Sequence, residues 1–406
     1  MIISIIPLII NLIIFNFDYK VKSPFISFSL ATLIVFSIPH FFLSSFSNQF
    51  LDSTYFLVTV QANIFLLVYL FFRLLFFKVS HESKIPDLTS NFLNRQFSLS
   101  LLFLCVFIFT SVYNFGFSIQ NMMSSSWSDN RNSSNVVTLI GSFFLYSASS
   151  FFLLALHKKS KKSYFFILSC LLYIVFILKT RNYLIAILIP VFIHFLLNSK
   201  WSIKKLMIAS LLSILVFSLY SAARSIRHIG SVDDIRSSSF ELTIDTGEFE
   251  VINTLYYFVE KEDFKLDYNN ITLVRVITIP IPSVLLPFNK PEELSNVLWN
   301  KKTGITGVSG SLHPTVIGDS ILNMSMYGPA LYGFFYSFIF FLLELFYRQT
   351  RYKFLYFGLY CTVSFYIARG AVYNGFVILF VCMFILVVTN LLLGLLKGKH
   401  LCHRKY

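Results

Sequence analysis

The sequence predicts an all-α fold: a polytopic transmembrane helix bundle of about eleven spans carrying one large, partly helical extracytoplasmic loop. Three observations predict it. Hydrophobic residues make up 56% of the chain, charged residues only 13%, and mean hydropathy is +0.71; a soluble domain carries roughly 25% charged residues. Apolar runs approach the roughly 20 residues that a helix needs to cross a hydrocarbon layer. Lysines and arginines gather in short runs at the ends of these segments, where membrane topology places them.

The apolar segments fall at 1–16, 24–46, 54–77, 97–117, 135–157, 164–179, 182–198, 205–222, 327–347, 353–369 and 373–396. The first lacks a basic leader and reads as a span, not as a cleavable signal. On one side of the membrane the loops and tail hold nineteen basic residues, among them Lys20, Lys22, the KKSKK run at 158–162 and Arg351. On the other side the short loops hold four: Arg131, Lys179, Arg181 and Arg369. Positive charge stays inside, so the N-terminus is expected outside and the C-terminus inside. Helices one to eight then occupy 1–222, the outer loop 223–326, helices nine to eleven 327–396, and a basic cytoplasmic tail 397–406.

The segment 223–326 carries thirteen of the nineteen acidic residues and is expected to face water. Within 240–262, Phe249, Ile252, Tyr256 and Val259 recur at helical spacing and predict an amphipathic helix. The apolar stretch 272–288 is broken by Pro280, Pro282 and Pro287. Lipid tolerates no unpaired backbone, so this stretch is expected to be a loop or an interfacial piece, not a span. After the glycine-rich residues 301–311, Pro314 suits a helix start. Thr315, Asp319 and Asn323 then form one polar stripe on an otherwise apolar helix.

Several function classes lose their support. No GxxxxGK[ST], HExxH, GxSxG or CxxC occurs, which removes the usual signatures of ATP hydrolysis, zinc proteolysis and serine-hydrolase chemistry. The net charge of +14 is scattered over span ends and makes no nucleic-acid groove. Four cysteines lie in apolar segments and the loop has none, so neither a disulfide frame nor a metal site is expected there. His400, Cys402 and His403 read as part of the charged tail.

What remains is a set of outer-side arginines near helix ends. Arg181 sits in the KTRN turn, Arg224 and Arg227 open the large loop, and Arg369 sits in the ARG turn between the last two spans. Arginine is always charged and binds phosphate in a bidentate fork, so the four together predict a grip on an anionic headgroup. His313 is a candidate general base, because its imidazole titrates near neutral pH. Asp319 is the rival base, and Asn323 is a candidate contact for an acceptor sugar. His40 and His194, inside spans, read as structural, and Glu344 with Arg348 reads as an inner-end ion pair.

Three stretches resemble the bacterial O-antigen polymerases, the oligosaccharide repeat-unit polymerases: IPIPSVLLPFNKP at 279–291, LHPTVIGDSILNMSMYGPALYG at 312–333, and the TRN turn at 180–182. Members of that family often carry an arginine after the second proline of the first stretch, where this chain has Ser283. The resemblance implies a metal-independent, cofactor-free glycosyltransferase on a fold of the lipid-donor (GT-C) type in the bacterial inner membrane. It further implies undecaprenyl-diphosphate-linked repeat units as substrates, membrane lipid as surroundings, and a flippase and a chain-length regulator as partners. An O-antigen ligase shares the layout and is the alternative enzyme; a lipid-linked oligosaccharide flippase is the alternative of another class. The long outer loop and the absence of a duplicated half disfavour the flippase.

Overall fold

The computed structural model describes residues 3–47, 49–79, 90–124, 136–158, 161–178, 180–198, 251–261, 270–304 and 311–402. These residues are helical, with no strand among them. In chain order the helices are α1 (Ile6–Lys20), α2 (Ile26–Phe46), α3 (Asp52–Val79), α4 (Ser90–Asn114), α5 (Ile119–Ser124), α6 (Val136–Ser147), α7 (Phe151–Lys158), α8 (Lys161–Leu172) and α9 (Arg181–Asn198). The second half adds α10 (Val251–Lys261), α11 (Ile271–Ile277), α12 (Leu294–Thr303), α13 (Thr315–Met324), α14 (Gly328–Gln349), α15 (Lys353–Ala368) and α16 (Val372–Cys402).

Six stretches are long and apolar enough to cross a membrane: Ile3–Lys20, Ile26–Phe46, Asp52–Phe77, Phe92–Asn114, Gly328–Gln349 and Val372–Leu392. The pair α6–α7, bent by 43°, makes a seventh if counted as one span. The chain is thus a helical membrane protein. Three of the expected spans correspond to shorter apolar helices, Lys162–Leu178, Asn182–Asn198 and Lys353–Ala368. The expected span 205–222 lies outside the described residues.

The chain divides into two compact units. The first comprises Met1–Asp87, Thr243–Lys353 and Val363–Val377. Its core is aromatic: Phe25 stacks on Phe340, and Phe28 meets the edge of the same ring. Gly333 lets α14 approach α3 until a Cβ would stand 2.7 Å from the Phe65 carbonyl oxygen, a small-residue contact suited to helix pairs in lipid. In α2 the backbone widens to a π-helical turn at Leu33–Ser37. Oriented to satisfy both ends of its carboxamide, Asn11 of α1 accepts from Leu33 N and Ser37 Oγ, each at 3.0 Å. A neighbouring span thus supplies what the widened turn leaves open.

The span interiors of this unit are not free of charge. Arg73 of α3 bonds Asp18 of α1 at 3.0 Å and Glu344 of α14 at 2.8 Å, all nearly inaccessible to solvent. Glu344 also pairs with Arg348 at 3.0 Å, four residues on. The expected Glu344–Arg348 pair is present, as the end of a four-membered network across three helices.

The expected amphipathic helix is α10, with Ile252, Leu255, Tyr256, Phe258 and Val259 buried; Phe249 lies outside the described residues. It packs among the spans: the Tyr256 hydroxyl bonds His40 Nδ1, whose Nε2 meets Thr59 Oγ1 at 2.9 Å. His40 is therefore a structural link between a span and the loop. Glu260 accepts from Leu51 N at 2.9 Å, putting a carboxylate at the positive N-terminus of α3. Helix α13 also packs on α3, α10, α14 and the π turn of α2. Two pieces of the acidic segment expected to face water therefore lie against spans.

The second unit comprises Leu88–Leu242, Phe354–Thr362 and Ile378–Tyr406. Thr362 Oγ1 donates to the Ala186 carbonyl at 2.8 Å, and Cys382 Sγ to that of Phe143 at 3.3 Å. Three serines, Ser147, Ser149 and Ser150, mark the bend between α6 and α7, where Gly358 approaches Ser150 N. His194 packs against His157 and Phe354, in keeping with its structural assignment. No disulfide occurs among the described residues, and Cys170, Cys361 and Cys382 are buried in apolar helices.

Candidate active site

The candidate residues of the first unit gather around the start of α13. Pro314 precedes the helix and Thr315 opens it, with Thr315 Oγ1 accepting from Gly318 N at 3.1 Å. Thr315 has φ +68°, an uncommon value for a β-branched residue. Its backbone lies against Gly370, itself at φ +98°, where a Cβ would stand 2.7 Å from Thr315 N. Only glycine fits there without strain. The Arg369–Gly370 turn is thereby seated two residues from His313. Arg369 is 7% exposed at the end of α15, and His313 is half-buried. One residue before it, Leu312 N donates to the Ser295 carbonyl at 3.0 Å, fixing this approach to α12.

The polar stripe on α13 turns inward. Asp319 Oδ2 accepts from Thr272 Oγ1 at 3.2 Å, and Oδ1 from Asn323 Nδ2 at 3.1 Å. Asn323 Oδ1 accepts from Thr272 N at 3.2 Å, and its backbone oxygen from Asn270 N at 3.2 Å. Asn270, at φ +53°, in turn accepts from the Tyr332 hydroxyl at 3.0 Å. These bonds lock α11 against α13. Desolvation pushes the Asp319 carboxyl well above the usual carboxylate range, and the Thr272 hydrogen bond opposes this. Asp319 and Asn323 are both buried and spend their polar groups within the protein. Asp319, the expected rival base, and Asn323, the expected sugar contact, thus stand in the hydrogen-bonded contact between α11 and α13.

One arginine was missed by the sequence analysis. Arg275 of α11 donates through Nη1 to the Pro291 carbonyl, and its guanidinium lies 4.1 Å from the centroid of the Tyr373 ring. Its buried Nε has no hydrogen-bond partner among the described residues. Beside it Asn374 Nδ2 donates to Glu293 Oε1 at 3.0 Å. The signal was a lone arginine within the apolar run TLVRVIT. Two arginines, Arg275 and Arg369, thus meet the start of α16 and the turn before it, and His313 stands on the segment packed there. Such partly desolvated guanidinium groups suit phosphate oxygens.

Arg181 opens α9 in the second unit. Arg224 and Arg227 lie outside the described residues. No group of three or more metal-ligating side chains occurs among the described residues. Comparison with known proteins returns no matching family model, no matching curated protein and no matching solved structure.

Proposed function

We propose that the chain is a glycosyltransferase that polymerises undecaprenyl-diphosphate-linked oligosaccharide repeat units into O-antigen or a similar surface polysaccharide, at the outer face of the bacterial inner membrane. In this reading the short apolar helices and residues 205–222 complete eleven spans of a lipid-donor type fold, with the N-terminus periplasmic and the C-terminus cytoplasmic. A flippase would supply the substrate, and a chain-length regulator would set product size. The observation that carries the proposal is the seating of the Arg369–Gly370 turn on Thr315, which joins a phosphate-binding residue type to the His313 segment.

The acceptor hydroxyl attacks the anomeric carbon at the reducing end of the donor glycan. Its C–O bond to diphosphate breaks, and undecaprenyl diphosphate leaves with the electron pair. His313 takes the hydroxyl proton. Arg369 stabilises the charge growing on the leaving group, as a preorganised cation in a poorly hydrated site does. Asp319, bonded to Thr272 and Asn323, positions α13, and the base role is assigned to His313.

The test is a proteoliposome assay with a synthetic lipid-linked repeat unit. Wild-type protein should yield a polymer ladder, and Arg369→Ala and His313→Ala should lose it while still inserting. Arg369→Lys should recover only part, because lysine lacks the fork. Exposed Arg351 is the control and should tolerate alanine. Full polymer from both Arg369→Ala and His313→Ala would refute the assignment.

A further inference from the structure

Residues 277–288 form an apolar tongue that the helices leave uncovered. Val284 is 95% exposed and Leu285 72%, with Ile277, Ile281 and Phe288 also exposed. None of the residues in its 3-10 turn, Ser283–Leu285, is buried. Other large exposed apolar side chains of this chain stand mostly on the spans, where lipid is their solvent. The tongue is not a span, because Pro280, Pro282 and Pro287 interrupt it.

The tongue is nevertheless built. Ile281 N donates to the Thr278 carbonyl at 3.1 Å, and Leu285 N to that of Pro282 at 3.0 Å. Arg275 closes its base by bonding the Pro291 carbonyl, so the chain leaves and returns at one place. That base is fastened to the first turn of an apolar span, Val372–Leu392. Arg275 stacks on Tyr373, and Asn374 bonds Glu293. The height of the tongue is therefore set at the level where that span enters lipid. Cations flank it at both ends, Arg275 before and Lys290 after, the arrangement that meets anionic headgroups around an inserted apolar segment.

We infer that the tongue Ile277–Phe288 dips into the bilayer leaflet beside the candidate site, with Val284 and Leu285 among the acyl chains and Arg275 and Lys290 at the phosphates. It is a lipid-binding element that anchors α11, and through Thr272 the Asp319–Asn323 lock, to the membrane surface. The inference does not depend on the proposed glycosyl transfer.

The test uses full-length protein lacking its native cysteines, reconstituted in phosphatidylcholine–phosphatidylglycerol vesicles containing doxyl-labelled lipid. An environment-sensitive fluorophore is placed at Val284→Cys, at Glu292→Cys as the water-facing reference, and at Leu391→Cys as the lipid-facing reference. The label at 284 should emit at shorter wavelength and be quenched several-fold more than that at 292, approaching the label at 391. Quenching at 284 no stronger than at 292 would overturn the inference. The three positions are exposed, so the substitutions leave packing intact.

Discussion

Gly370 and Thr315 meet backbone to backbone, both with positive φ, leaving no room for a side chain on Gly370. Gly370→Ala would put a Cβ within 2.7 Å of Thr315 N and add an intrinsic penalty of about 1–2 kcal/mol for the left-handed backbone. The Arg369 turn must then back away from the His313 segment. We expect Gly370→Ala to insert normally yet lose most polymer synthesis, measured by membrane fractionation beside a glycan ladder. Gly304 has φ +70° with nothing within 4 Å of a built Cβ; Gly304→Ala carries the strain without the clash and should retain activity.

Asp319 gives a pH signature. Its folded pKa is raised by burial, so the folded state holds a proton that the unfolded chain releases above its ordinary pKa of about 4. The associated stability is fully present below that value and is lost as pH rises through the folded pKa. Asp319→Asn, neutral at every pH, should flatten the decline of the thermal midpoint toward alkaline pH in detergent. It should also keep polymer synthesis, because the carboxyl acts by position. Parallel midpoint–pH curves for the two proteins would show that Asp319 is ionised in the fold.

Arg73 holds two buried carboxylates from two other helices. Arg73→Met leaves Asp18 and Glu344 without their common cation, and breaking such a buried pair costs about 3–5 kcal/mol. The variant should aggregate or melt early in detergent. Replacing all three, as Asp18→Asn, Arg73→Met and Glu344→Gln, should recover part of the loss, because no charge stays buried between the three helices while Arg348, at the network's end, loses its Glu344 partner. Arg348, tied to Glu344, belongs to this network and should lose stability with little effect on the chemistry.

The membrane class and most helix positions were legible in the sequence, because burial in lipid forces long apolar runs that composition alone exposes. The amphipathic α10 was legible for the same reason: Ile252, Tyr256 and Val259 share a face. Pairings between distant residues were not legible. Asp18, Arg73 and Glu344 each look like an ordinary charge near a span end, and only their packing makes them one network. Arg275 carries no local signal that Pro291 and Tyr373 will flank it. The stripe of Thr315, Asp319 and Asn323 was visible as a stripe, but its spacing does not say whether it faces a substrate or, as found, Thr272. His313 and Arg369 were chosen separately by residue type, and only Gly370 against Thr315 shows their segments packed together.

Repeat-unit polymerisation itself is tested most directly by deleting the gene and resolving the cell's lipopolysaccharide on a gel. A polymerase predicts that the ladder collapses to core plus a single repeat unit, restored by wild-type protein and not by His313→Ala. Bare core with lipid-linked polymer still accumulating would contradict it and show that the protein instead transfers finished glycan to the core.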